Sequence, residues 1–251
     1  MRIVLLVSLI LIIFAPYHVN AQSFGFGCLG FVSGFGGYSY QIYEPSGLNN
    51  YISRFNQLRA ENLSEQVSQF RKAEGYRIGI NFFRANFEGF FITTKGFYQR
   101  LQEEKVTSEN TIQGLNNYSF ETLINNWSIG IDFGIDISKA LSWKIIDGAL
   151  HFNNAKFIRT DNLPGQTIST TYKSDHSQLG YSLGTGFILD IAEEYISLEG
   201  LVAFSEIEIK ELKTDGGLKL TETEDSDVTM TDFIDAGGFN AVIQLNIGFP
   251  L

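Results

Sequence analysis

The chain has only one cysteine, three histidines and four prolines in 251 residues. The single cysteine, Cys28, excludes an intramolecular disulfide, so stability has to come from the fold. So few histidines leave little material for a metal centre or an acid–base constellation, and we predict no cofactor. Scarce proline beside 25 glycines and 14% aromatic residues favours many strands with few breaks.

Long hydrophobic runs are also missing, since a helix across a bilayer needs about 20 apolar residues. The longest run, residues 3–14, follows Arg2 and precedes small residues at 19–21. This is the pattern of a secretory signal peptide. We therefore predict a signal peptide over 1–21, cleaved near Ala21, and one mature domain over 22–251. Cys28 does not directly follow the apolar run, which argues against a lipid anchor there.

Basic residues are in the minority. Lysine and arginine number 18 against 28 acidic residues, which gives a net charge of −10 at pH 7. This balance argues against a nucleic-acid partner and against attachment to a membrane surface through a polybasic patch. Acidity by itself identifies no partner.

What the chain does have is alternation of apolar and small polar residues. From Trp127 to Ile137 every second residue is apolar, and the others are Ser, Gly or Asp. A period of two over this length indicates a long strand with one apolar face. The design recurs over 179–190 and 239–249. With less regular segments it predicts eight strands, near 27–37, 76–83, 87–101, 118–137, 143–157, 179–190, 196–205 and 238–249.

The connections between these strands alternate between short and long. The long ones cover residues 38–75, 103–117, 160–177 and 211–235, so all of them belong at one end of the fold. Short turns at one end and long loops at the other are typical of an outer-membrane barrel. We predict a closed antiparallel up-and-down transmembrane β-barrel of about eight strands. A soluble barrel of lipocalin type is the alternative, but small polar residues fit a crowded lumen better than a water-facing surface.

Several side chains are assigned from their place in this pattern. Charged residues on the polar faces predict a lumen network of Arg77, Asp132, Asp136 and Glu199, whose charges need partners when buried. A narrow conduction path is the alternative reading of this group. Aromatic residues near strand ends predict interfacial belts, formed by Tyr118, Trp127, Trp143, Tyr181 and Tyr195.

The first long loop carries apolar residues at helical spacing. They are Leu48, Tyr51, Ile52, Phe55 and Leu58, with Val67 and Phe70 on the continuation of the face. An apolar stripe has to bury against something. The loop is therefore either a helical cap on the barrel mouth or a docking helix for an envelope partner or the lipid headgroup layer.

The predicted barrel resembles the small eight-stranded outer-membrane barrels typified by OmpX and the OmpA transmembrane domain, especially those widespread in Bacteroidota. The C-terminal residues Ile243, Leu245, Ile247 and Phe249 resemble the assembly signal that such barrels present to the insertion machinery, although Pro250 and Leu251 follow Phe249. The resemblance implies the outer membrane of a Gram-negative bacterium, with outer-membrane lipid and the insertion machinery as partners. It implies fold and location better than activity.

Two groups of polar residues are candidates for a catalytic site or a metal site. Asp175, His176 and Ser177 are adjacent, as strand-end hydrolases would use, but neighbours on an extended chain point to opposite faces. The last long loop has carboxylates that could bind calcium, at Glu222, Glu224, Asp225, Asp227, Asp232 and Asp235, with no EF-hand spacing. We predict a non-enzymatic barrel with a structural or interaction role through its long loops. A narrow pore and a strand-end lipid or peptide hydrolase are the alternatives.

Overall fold

A computed structural model describes residues 23–24, 33–192 and 195–248. The predicted signal peptide, Cys28 and Phe249 lie outside these residues. The elements, in chain order, are β1 (Ser23–Phe24), β2 (Ser33–Ile42), α1 (Ser46–Leu58), β3 (Lys72–Phe87), β4 (Phe90–Thr111), β5 (Gly114–Asp136), β6 (Leu141–Leu163), β7 (Gln166–Ser174), β8 (Gln178–Ala192), β9 (Ile196–Glu206), β10 (Leu212–Lys213) and β11 (Gly238–Gly248).

Eight of these strands close into an antiparallel barrel. They follow the chain in the order β2, β3, β4, β5, β6, β8, β9 and β11, and β11 then pairs with β2 from Asn240 opposite Gln41 to Gly248 opposite Ser33. At this strand number the interior of a barrel is filled by side chains. The predicted closed barrel of eight strands, with a helix in its first long loop, is confirmed.

The barrel has a short-turn end and a long-loop end. Residues 88–89 connect β3 to β4 and residues 137–140 connect β5 to β6, while β8 ends at Ala192 and β9 begins at Ile196. The first residue of β2 lies at the same end, opposite the last residue of β11. Among the described residues no helix has the length and hydropathy needed to cross a membrane.

Three of the four predicted long connections contain strand. The segment 103–117 is mostly strand, because β4 and β5 continue as one hairpin up to Thr111 opposite Gly114. The segment 160–177 contains the β6–β7 hairpin, and β10 lies in the fourth loop. The strand part of 103–117 lacks a clear apolar alternation because Glu103, Thr107 and Glu109 lie on its buried face while Val106 points outward.

We call the part of the chain above the barrel the head, formed by residues 43–71, 104–122, 157–177 and 207–237. Here β4, β5, β6 and β7 form a sheet that extends the barrel wall, and α1 packs against it. The head has its own core, in which Phe55, Phe70, Phe120, Phe157 and Phe233 are fully or almost fully buried. It is therefore a packed unit on the barrel mouth.

Candidate functional site

A cluster of five charged side chains crosses the lumen. Lys95 on β4 lies 2.7 Å from Asp132 on β5 and also pairs with Asp147 on β6. Lys144 reaches Asp132 at 2.6 Å and Glu199 on β9 at 2.5 Å. All five side chains are at most 3% exposed. Because each buried charge has opposite charges beside it, the cost of removing the charges from water is offset.

The predicted lumen residues lie at three different levels. Asp132 and Glu199 belong to the cluster. Arg77 is buried above it, with its guanidinium carbon 3.8 Å from the centre of the Phe97 ring. Asp136 lies at the short-turn mouth, where it accepts a hydrogen bond of 2.8 Å from the Ser142 hydroxyl.

Sequence reasoning missed Lys95, Lys144 and Asp147. Lys95 lies in the segment 87–101, which is apolar on both faces at its start, so the pattern does not show which face points inward. Between Lys144 and Asp147 the pairing of β6 with β8 shifts register, so the alternation changes phase there. A residue pattern with a phase change does not reveal which side chains point inward.

Above the ionic cluster, uncharged polar side chains fill the lumen. His151 lies between two serines, 2.6 Å from the Ser128 hydroxyl and 2.8 Å from that of Ser182. The space left beside Arg77, Gln99 and His151 is only about 10 Å³, roughly the room of one water molecule. The Ser128–His151 pair therefore has no space beside it for a substrate.

Below the cluster the lumen opens into a vestibule at the short-turn end. Its volume is about 690 Å³, and charges of both signs line it, including Arg84, Asp136, Lys144, Asp190 and Glu199. The vestibule ends at the ionic cluster and does not continue into the head.

The outside of the barrel is apolar. On β5 the side chains of Trp127, Ile129 and Ile131 are more than half exposed, while Ser128 and Asp132, on the alternate positions, are buried. This is the reverse of a soluble barrel, in which the apolar face turns inward. The same holds on β11, where Ile243, Leu245 and Ile247 of the predicted assembly signal point outward.

Aromatic rings bound this apolar surface at both ends. Towards the head, Tyr98 contacts Tyr76 and Trp127, with ring centres 6.3 Å and 5.0 Å apart. Towards the short turns, Phe90 lies 5.7 Å from Phe133 and Trp143 lies 6.4 Å from Phe187. Isoleucine, leucine and valine occupy most of the exposed positions between the two groups.

Four of the five predicted interfacial aromatics lie on the outer surface: Trp127, Trp143, Tyr181 and Tyr195. The prediction for Tyr118 is wrong. It is 5% exposed in the head core, and its hydroxyl donates to Glu109 at 2.6 Å. The reason is that β5 continues above the barrel, so Tyr118 is not near the barrel end of this strand.

The apolar stripe of α1 is already covered. Leu48, Tyr51, Ile52 and Phe55 are buried against the chain's own strands, and only Leu58 is exposed. The Phe55 ring meets Tyr118 and Phe120 edge-on, with centres 5.1 Å and 4.9 Å apart. The cap interpretation therefore holds, and docking of a partner on this face is wrong because the face is not free.

The fourth loop is tied to α1 by ion pairs. Glu224 pairs with both Arg59 and Arg159, and Asp225 pairs with Arg54, 2.5 Å away. Hydrogen bonds from Arg54 lower the pKa of Asp225 to about 2. Burial raises the pKa of Tyr51 to about 12, and the Tyr51 hydroxyl accepts a hydrogen bond from Arg159.

Among the described residues, no group of three or more histidine, cysteine or acidic side chains could hold a metal ion.

The other loop acids are spread apart. Asp235 accepts from the Ser46 hydroxyl at the start of α1, and the backbone carbonyl of Asp232 accepts from Gly47. The six carboxylates therefore do not converge on one point. Two of them, Glu224 and Asp225, are used as partners of arginine.

The Asp175-His176-Ser177 triplet does not form a nucleophile–base pair. The Ser177 hydroxyl bonds to the Asn154 side chain at 3.0 Å, and Asp175 pairs with Lys213. Residues 175–177 form a bend between β7 and β8, in which Asp175 and Ser177 have different partners.

No protein-family model and no curated protein sequence matches this chain. Among solved structures it is similar to Ail, the attachment invasion locus protein of Yersinia pestis, with a TM-score of 0.39 and 11% identity over 88% of this chain and 99% of that one. A structure of Ail with the heparin analogue sucrose octasulfate gives 0.37 and 11% over 87% and 97%. The outer membrane protease OmpT from Escherichia coli gives 0.44 and 10% over 92% and 99%. Likeness at this level identifies neither a family nor an activity.

Proposed function

We propose that this chain is an integral outer-membrane barrel with a sealed lumen that displays the head outside the cell for a non-enzymatic interaction role. The observation that carries the proposal is the apolar outer surface between two groups of aromatic rings, around a charged interior. Hydrocarbon in contact with this surface removes the cost of exposing it to water. Closure leaves no strand edge unpaired within the bilayer.

The height of the apolar surface supports the same location. The outward residues from Trp127 on β5 to Ile137, the first residue after β5, are all apolar, and these two are ten positions apart. At about 3.4 Å per residue this is about 34 Å along the strand. A tilt of about 40° reduces it to about 26 Å, which matches the roughly 25 Å apolar band of such barrels.

The sealed lumen favours an interaction role over transport. The ionic cluster spans the lumen from β4 to β9, and the head core covers the opposite mouth. Conduction through a narrow pore would require both the ionic cluster and the head core to open. Two observations on the described residues speak against the hydrolase alternative. The lumen beside His151 has room for about one water molecule, and the Ser177 hydroxyl next to His176 bonds to Asn154.

The remaining features of the proposal follow from the location. Outer-membrane lipid is the partner of the apolar surface, and the C-terminal strand β11 is the segment offered to the insertion machinery. Export requires the predicted signal peptide over 1–21. We place the head outside the cell because short turns of such barrels face the periplasm.

Two arginine substitutions test the membrane location. Ile131 and Val106 are both outward and exposed, Ile131 in the middle of the apolar surface and Val106 in the head. Ile131→Arg should lower the free energy of unfolding by about 2–4 kcal/mol in lipid vesicles. Val106→Arg should change it by less than about 0.5 kcal/mol.

The measurement is urea unfolding of the vesicle-inserted protein, followed by its heat-modifiable band shift in gels. A barrel that resides in water would tolerate both substitutions equally. Equal stability of the two variants, or recovery of the native protein in the soluble periplasmic fraction, would refute the proposal.

A further inference from the structure

Arg77 is a buried cation to which no carboxylate is bonded. It is 3% exposed, and its guanidinium stacks on the Phe97 ring. The carboxylates of the ionic cluster form their ion pairs with Lys95 and Lys144. Among the described residues none of these carboxylates forms an ion pair with Arg77, and its Nε has no hydrogen-bond acceptor. A buried charge in this state is costly unless a counter-charge contacts it.

Strand register places three amide side chains in line with Arg77. Arg77 on β3 lies opposite Gln99 on β4, and Gln99 lies opposite Asn126 on β5. Asn126 in turn lies opposite Asn153 on β6. All four residues are at most 4% exposed and line the cavity of about 10 Å³ above the ionic cluster. They therefore form one inward row over four neighbouring strands, with Arg77 at its end.

The row presents mainly hydrogen-bond donors to this cavity. The side-chain oxygen of Gln99 accepts from the Ser39 hydroxyl, and that of Asn126 accepts from the Ser128 hydroxyl. The NH₂ groups of these two amides have no acceptor among the described residues. Neither amide atom of Asn153 has a partner, so this side chain can turn its NH₂ group to the cavity as well. Three NH₂ groups and a guanidinium are thus free to donate.

A single small anion satisfies this cavity better than water does. Gln41 and Asn240 also line it, and their NH₂ groups donate to backbone carbonyls, which leaves their oxygens as acceptors. A water molecule would therefore find partners, but it would leave the charge of Arg77 without a counter-ion. A halide ion accepts from the donors and also compensates the charge. Because the space has the room of about one water molecule, it excludes anions with several heavy atoms.

The ionic cluster does not replace this counter-ion. It contains three carboxylates and two lysines, so it carries one negative charge in excess. Coulomb energy falls with distance, so an anion in contact with the guanidinium gains more from Arg77 than it loses to the more distant cluster. The excess charge of the cluster therefore weakens anion binding and does not prevent it.

We propose that the cavity beside Arg77 binds one small monovalent anion of the halide class, which is chloride in ordinary saline surroundings. The anion compensates the buried guanidinium and completes the polar packing between the ionic cluster and the head. The inference gives the sealed lumen a ligand of its own and goes beyond the role proposed for the head.

The chloride dependence of stability is the first test. Full-length protein in lipid vesicles is unfolded with urea in sodium chloride and in sodium gluconate at the same ionic strength. An ion that binds only the folded protein raises the folded-to-unfolded ratio by about tenfold for each tenfold rise in its concentration above the dissociation constant. Wild-type protein should show this rise in chloride and not in gluconate. An equal urea midpoint in the two salts would overturn the proposal.

An internal carboxylate should take the place of the bound ion. Asn153→Asp places a group of nearly the same size in the cavity beside Arg77, so this variant should be at least as stable as wild type in gluconate and should lose the chloride dependence. Asn81→Asp is the matched control, because it adds the same charge to the lumen outside this cavity, where Asn81 bonds to Ser33. It should keep the chloride dependence. Retention of the dependence in Asn153→Asp, or its loss in Asn81→Asp, would count against the site.

Bromide locates the ion directly. Crystals of the full-length protein grown in sodium bromide should give an anomalous peak within hydrogen-bond reach of the Arg77 guanidinium, and crystals of Asn153→Asp should give none there. A wild-type structure without this peak would overturn the proposal. The heat-modifiable band shift is measured on every preparation. Folded protein that does not enter vesicles contradicts the membrane location, and the bromide peak still decides whether the anion site exists.

Discussion

Removal of one ring from the head core should open the head without unfolding the barrel. Phe55 on α1 is completely buried, and its ring is surrounded by Tyr118, Phe120 and the Arg59 guanidinium, whose carbon is 4.3 Å from the ring centre. All of these neighbours belong to the head. Phe55→Ala therefore weakens the attachment of α1 to the sheet, and substitutions of this type cost about 3–5 kcal/mol.

The size of the effect follows from that range. A loss of about 4 kcal/mol is roughly a thousand-fold in the equilibrium between attached and open α1, since about 1.4 kcal/mol is tenfold. Amide hydrogen exchange of Ser46–Leu58 should accelerate by that factor when local opening controls exchange. The barrel strands should keep their protection, because the ring contacts of Phe55 are with Tyr118, Phe120 and Arg59 of the head.

The matched control is on the same helix. Leu58 is 46% exposed, so Leu58→Ala should change exchange by less than about threefold, equivalent to a loss below about 0.5 kcal/mol. Exchange is measured by mass spectrometry on the vesicle-inserted protein. Equal acceleration in the two variants, or loss of protection in the barrel strands after Phe55→Ala, would refute the description of the head as a separate packed unit.

Two further outcomes are expected. Lys144→Met leaves Asp132 and Glu199 without their shared cation and should lower the free energy of unfolding by about 3–5 kcal/mol. The control, Lys139→Met at the exposed short turn, should change this free energy by less than about 0.5 kcal/mol. The same urea midpoint for both variants would exclude the cluster as a stabilising element. Asp225 has a folded pKa of about 2 against a usual 3.8, so its ion pair with Arg54 stabilises the loop above pH 3.8 and is lost as pH falls towards 2. A spin label at residue 223 should gain mobility over that range and not between pH 5 and 7, and Arg54→Gln should remove the dependence.

The barrel could be predicted from the sequence because a barrel strand needs an apolar residue at every second position. Each strand turns one face to an apolar surface and the other to a crowded lumen, so Trp127 to Ile137 alternates without exception. The closing strand 238–249 does the same. Position in the alternation also assigned Asp132 and Glu199 to the interior.

The head could not be predicted in the same way. Its strands carry polar side chains such as Glu103 and Thr107 on the buried face and the apolar Val106 on the exposed face, so the segment has no apolar alternation to read. Tyr118 was placed at the barrel rim for this reason. The apolar stripe of α1 was visible, but the surface that covers it comes from four separate parts of the chain, and a local pattern carries no information on that assembly.

Glu103 illustrates how the head and the barrel depend on each other. It lies where β4 leaves the barrel, and one of its carboxylate oxygens accepts from the Tyr43 hydroxyl and from the backbone N–H groups of Arg71 and Lys72, each at 2.9 Å. Burial beside this carboxylate raises the pKa of Tyr43, so the hydroxyl keeps its proton and donates. The first loop leaves β2 next to Tyr43 and returns to β3 next to Lys72. One acidic side chain therefore holds both ends of the α1 segment at the barrel mouth.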